Sequence, residues 1–116
     1  MKSMILLSLA LNILVLVPVT WGLATHAPWV DAAYGAASPA RGIVLAVYCA
    51  ILAASVVLLF KPVLPAVAAL LAIQILYKLL TPLTVGTLDN PVVLSNLGIA
   101  AFHAVTLFLL ARRAFS

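Results

Sequence analysis

Apolar residues dominate this chain in four long runs, broken by short polar or proline-bearing stretches. The runs cover about 4–23, 39–60, 63–80 and 91–111. A helix rising 1.5 Å per residue needs roughly 20 apolar residues to cross the hydrocarbon of a bilayer. Each run is about that long. Local signals agree with helices over these ranges. Ser38-Pro39 places a capping hydroxyl before a proline at the first helical position, and Asn90-Pro91 repeats the arrangement. Lys61-Pro62 closes the second run, and Pro65 falls in the first turn of the third, where a missing N–H costs nothing. Thr81-Pro82 is expected to end the third span, and Pro18 to kink the first. Residues 24–38 are expected to form an outer loop in which Trp29 and Tyr34 sit at headgroup level as an interfacial anchor; the alternative is a lid or docking surface. The expected fold is therefore an all-α integral membrane protein: one domain over 1–116, built as a four-transmembrane-helix antiparallel bundle.

Polar residues within the runs are few, and they keep helical spacing. Gln74, Tyr77, Lys78 and Thr81 follow i, i+3, i+4, i+7 and share one face. Asn96, His103 and Thr106 share a face of the fourth span, Arg41, Tyr48 and Ser55 one of the second, and Ser8 and Asn12 one of the first. A polar group is costly in hydrocarbon and tends to face the protein interior. Depth follows from residue counts. Asn12 and His103 both lie about 12 Å from the same end at 1.5 Å per residue. The same counting sets Tyr48 level with Gln74, and Lys78 with Asn96; such pairs can meet where their helices are adjacent, which depth does not decide.

Composition makes the bilayer the solvent. The 116 residues are 67% hydrophobic and 7% charged, with mean hydropathy +1.35. A soluble domain is nearer a quarter charged, and a chain this small buries too little of its own surface to hide so much apolar area. The net charge of +4 comes from basic residues scattered singly apart from Arg112-Arg113. That pattern excludes nucleic acid as a partner and bears instead on orientation. Lys2, Lys61, Arg112 and Arg113 fall toward one side of the bilayer, and Asp31 and Asp89 toward the other, with only Arg41 and Lys78 near that face. Basic residues concentrate in cytoplasmic segments, so both ends are expected in the cytoplasm, with the bacterial inner membrane as host. The first run is too long for the core of a signal peptide and is expected to be retained as a span. Cys49 is the single cysteine, which leaves no disulfide within the chain and no metal cluster.

Candidate chemistry rests on the interior polar residues. A mid-membrane His103 can ligate haem iron or a chlorophyll magnesium, or relay protons; alternatively it is a neutral contact to Asn12 between helices. No cofactor and no metal are assigned. Lys78 is expected to reach the surface by snorkelling or to pair inside with Asn96, Tyr77 or a loop acid. Thr84-Val85-Gly86 with Asp89 resembles a potassium-channel filter over these few residues only. Leu88 stands where a second filter glycine is needed, which excludes that chemistry. No acidic residue lies in any span, so paired-carboxylate catalysis is missing and an enzyme is not expected. In size and span count the chain resembles the small multidrug-resistance transporters. That resemblance implies a titratable carboxylate in the first span, where this sequence has Asn12.

Two functions remain. One is a non-catalytic accessory or assembly subunit of a larger membrane complex, joined through faces rich in small residues such as Ala53-Ala54, Ala68-Ala69 and Ala100-Ala101. The other is a small homo-oligomeric transporter for an anionic or neutral solute, bound by Lys78, Gln74, Tyr77 and Asn96, with Asn12 and His103 as further candidates. Expected partners are the bilayer and other membrane subunits or copies of the chain itself.

Overall fold

The computed structural model describes residues 2–114, and within them the side chains of 3–112. The described residues form five helices: α1 (Lys2–Thr25), α2 (Pro28–Tyr34), α3 (Pro39–Phe60), α4 (Leu64–Val85) and α5 (Pro91–Ala114). All but α2 are long and apolar enough to cross a membrane. The molecule measures 47 × 28 × 19 Å. The positions of Met1, Phe115 and Ser116, and the side chains of Lys2 and Arg113 in the orientation argument, lie outside the described residues.

α1 packs chiefly on α3, and α4 on α5. Both pairs run in opposite directions. Asn12 meets Ser55 while Leu16 and Leu23 lie with Tyr48 and Ile51; Lys78 meets Asn96 while Ala68 lies with Leu107. The residues 61–63 join α3 to α4, yet these helices touch far less than the two main pairs do. A short connection makes them consecutive, and packing prefers other neighbours. One apolar cluster (Ile5, Leu9, Leu58, Val67, Leu71) fills the end that carries the termini. A second (Leu16, Leu23, Val30, Tyr48, Ile51) fills the end that carries α2. Outside these clusters the helices expose large apolar side chains such as Leu14, Phe60, Leu83 and Phe108.

Two expectations need correction. The segment 24–38 is not a simple loop, because Pro28–Tyr34 forms a helix with proline at its start and Asp31 in its first turn. Both features favour helix initiation. Its Val30 is fully buried. The ring of Trp29 lies so close on α1 that a Cβ added at Gly22 would collide with Trp29 Cζ2. α1 ends before it at His26, whose φ of 55° is the left-handed conformation that turns the chain.

The third span does not stop at Thr81-Pro82 either. α4 continues through Pro82 to Val85 and ends on Gly86, whose φ of 85° and ψ of 9° make a left-handed cap. Pro82 has no N–H for the carbonyl of Lys78. The Thr81 hydroxyl donates to that carbonyl instead, at 2.6 Å. A neighbouring hydroxyl thus supplies the bond that proline removes, and the helix survives it.

Candidate functional site

The interior polar residues occupy layers at different depths. Nearest the termini, Ser8 and Thr106 share a hydrogen bond of 2.6 Å between their hydroxyls. One turn further in, Asn12 is a hub. Its Nδ2 donates to Ser55 Oγ at 3.1 Å, and its Oδ1 lies 2.8 Å from His103 Nε2. Since that amide oxygen can only accept, the His103 proton sits on Nε2. His103 is fully buried, and its Nδ1 has no partner among the described residues. This layer therefore joins α1, α3 and α5 by neutral contacts.

The second group lies about 10 Å away along α5, seven residues at 1.5 Å each. Lys78 Nζ donates to Asn96 Oδ1 at 3.2 Å and stands 5.1 Å from the centre of the Tyr77 ring. Lys78 is 5% exposed. Its side chain turns to α5 instead of snorkelling to the surface. Neither acid of the chain serves it: Asp31 is paired with Arg41, and Asp89 sits exposed in the turn before α5. Asn96 Nδ2 reaches Thr81 Oγ1 at 3.5 Å. Tyr77 packs against the apolar cluster at the α2 end, and its buried hydroxyl has no partner among the described residues.

Two cavities converge on this layer. One of about 210 Å³ reaches Lys78, Asn96 and Ser95 and is otherwise walled mostly by apolar residues, among them Val15, Val19 and Trp29. The other, about 400 Å³, is lined by Thr81, Asn90 and Asn96 together with Asp31 and Val85. Ala33, Tyr34, Tyr48 and Val92 belong to both. The short helix α2 thus forms a wall of each. Tyr34 Oη donates to Tyr48 Oη at 3.4 Å, with the two rings edge to face. Burial, and then the neighbouring Tyr48, push the Tyr34 phenol well above its usual range, so it stays a neutral donor.

The six candidate residues do not form one site. Asn12 and His103 belong to the inner layer, while Lys78, Asn96 and Tyr77 belong to the layer at the cavities. Gln74 is buried between them, and its Nε2 turns back to the carbonyl of Leu70 at 3.4 Å. The expected match of Tyr48 with Gln74 is not made, because Tyr48 turns to Tyr34. Tyr34, expected at headgroup level in an outer loop, and Ser95, which the polar spacing does not single out, do line the cavity. Tyr34 stands on a helix and not in a loop. Pro28 followed by Asp31 was the signal that could have placed it on a helix.

Comparison with known protein families, with curated proteins and with solved structures finds no match to this chain.

The neutral His103–Asn12 contact carries a prediction. His103→Gln keeps a donor for Asn12 and is expected to leave thermal unfolding in detergent unchanged. His103→Leu strands the Asn12 carbonyl and is expected to cost about 1 kcal/mol or less, the usual scale for such contacts between membrane helices. Absorption spectroscopy on the purified protein completes the test: a stoichiometric haem or chlorin band lost in His103→Ala would overturn the structural role.

Proposed function

We propose that the chain is a small four-span helical bundle of the inner membrane, with both termini in the cytoplasm, that binds and carries a small anionic or neutral solute at Lys78 and Asn96. The observation that carries this reading is a lysine 5% exposed, beside a cavity, with no acid of the chain as its partner. Burying an ammonium costs several kcal/mol unless partners compensate it, and Asn96 supplies a single neutral contact. Apolar cavities with a few convergent polar groups are the usual form of a small-molecule site. In this reading the α2 end faces outward and admits solute. The apolar cluster of Ile5, Leu9, Leu58, Val67 and Leu71 closes the opposite end and would have to part for release.

Orientation is tested by reporter fusions. A reporter fused after Ser116 is expected to be cytoplasmic and one inserted at Gly35 external, and finding both ends of the chain on opposite sides would sink the topology. Function is tested by purification in mild detergent followed by mass spectrometry. The carrier reading expects the chain alone or as a homo-oligomer with retained small molecules. A stoichiometric second protein would favour the accessory-subunit alternative, in which a partner supplies what Lys78 lacks.

A further inference from the structure

We infer that the cavity beside Lys78 takes a small monocarboxylate with an apolar, ring-sized body, its carboxylate on the Lys78 ammonium and its body against Val15, Val19 and Trp29. The inference rests on the solute-binding reading above and narrows it to one chemical class.

Charge is the first argument. A single ammonium reaches the cavity. The next basic group at this end, Arg41, spends its guanidinium on Asp31, Gly35 and His26. One unpaired positive charge matches one negative charge. A phosphate dianion is usually held by several charged donors, often the bidentate fork of an arginine, and Lys78 is the one charged donor among the residues that line the cavity. The start of α5 adds to the preference, because Pro91 and Val92 at its first turn line the same cavity. The positive end of a helix dipole favours an anion there. Asn90 Oδ1 already caps the Val92 N–H at 2.8 Å, so the contribution is the field of the helix and not a free donor.

Shape and polarity give the rest of the ligand. At about 210 Å³ the cavity is below the roughly 300–1,000 Å³ of drug-sized sites. Lys78, Ser95 and Asn96 give it one polar end, the Tyr34 and Tyr48 hydroxyls bond to each other, and the α1 side is apolar. A ligand polar at one end and apolar along its body satisfies both halves. A hydrophilic acid such as acetate would leave the apolar half unfilled, and a neutral alcohol would leave the ammonium unpaired.

The test uses three matched probes, 4-fluorobenzoate, 4-fluorobenzyl alcohol and 4-fluorobenzylammonium, with inorganic phosphate as competitor. Binding is read by fluorine NMR on the full chain in phosphatidylcholine nanodiscs, and empty nanodiscs give the partition background. The benzoate is expected to saturate one site per chain, with the alcohol at least tenfold weaker and the ammonium probe at background. Lys78→Met should abolish the preference for benzoate over alcohol. Val19→Trp, which fills the apolar half and leaves the charge, should block both. Circular dichroism and gel filtration confirm that each variant is folded. If the alcohol binds as tightly as the benzoate, or phosphate displaces the benzoate, the monocarboxylate inference is wrong and the solute-binding reading survives. If no probe saturates above empty nanodiscs and phosphate does not bind, both are wrong.

Discussion

Lys78→Met is expected to weaken binding of an anionic solute by about tenfold to somewhat over a hundredfold while leaving the folded protein in the membrane. Methionine matches most of the length of lysine and is apolar, so the packing of α4 on α5 can persist. The change removes the ammonium and leaves Asn96 Oδ1 without the donor it has at 3.2 Å. A hydrogen bond to a charged group contributes about 1.5–3 kcal/mol. The affinity lost is that of the bond from the ammonium to the anionic solute, which at 1.4 kcal/mol per factor of ten is about tenfold to somewhat over a hundredfold. Stability is expected to rise slightly or stay level, because a poorly compensated buried charge is gone. Lys78→Arg keeps the charge, but a planar fork presents its donors differently, so binding should return only in part. Titration of both variants at matched expression checks the prediction. Full binding by Lys78→Met would end the site and leave Lys78 a structural contact between α4 and α5.

The four apolar helices were legible because the evidence for them is redundant. Run length, the Ser38-Pro39 and Asn90-Pro91 starts and the scarcity of charge all point to the same elements, and the helices begin at Pro39 and Pro91 as those signals imply. The polar faces were legible for a similar reason: at 3.6 residues per turn the spacing of Ser8 with Asn12, or Asn96 with His103, leaves one face for each. Depth counting brought Asn12 to His103 and Lys78 to Asn96 because paired helices of equal rise keep register over a few turns.

It failed for Tyr48 and Gln74, since depth says nothing about which helices touch. Tyr48 had a better partner in Tyr34, on an element the pattern did not show. Seven residues are too few for a strong periodic signal, and an isolated helix of that length is unstable in water, so α2 depends on tertiary contacts a linear reading cannot see. The end of α4 was missed for a local reason. Proline is a strong stop signal, and only the geometry of Thr81 shows the freed Lys78 carbonyl already bonded. The cavity beside Lys78 belongs to the same class. Its lining comes from all five helices, and no single segment encodes it.

Arg41→Ala is expected to release α2. Arg41 stands in the first turn of α3, with its backbone N–H on Ser38 Oγ at 3.2 Å, and its guanidinium gathers three parts of the preceding segment. Nη1 donates to Asp31 Oδ1 and to the carbonyl of Gly35 at 2.8 Å; Nη2 donates to His26 Nδ1 at 2.8 Å. A guanidinium only donates, so His26 accepts on Nδ1 and carries its proton on Nε2. Asp31 is 62% exposed, so its share of the energy is discounted for solvent screening. The bonds to Gly35 and His26 start from a side chain that is 5% exposed, and charge-assisted bonds of this kind contribute about 1.5–3 kcal/mol each. Alanine removes all three contacts. What remains on α2 is buried Val30, the Trp29 ring over Gly22, and the bond from Asn90 Nδ2 to the Ala33 carbonyl at 2.8 Å. A net loss of about 2–4 kcal/mol corresponds to roughly 30- to 1,000-fold faster local opening. Hydrogen exchange at residues 30–34 should accelerate by that factor, while the cores of α3 and α4 exchange as before. Arg41→Lys, with a compact ammonium in place of the fork, should fall between the two. Because α2 walls both cavities, the same variant should release 4-fluorobenzoate faster than the unmodified chain. Unchanged exchange at residues 30–34 in Arg41→Ala would show that Val30, Trp29 and Asn90 hold α2 without the guanidinium.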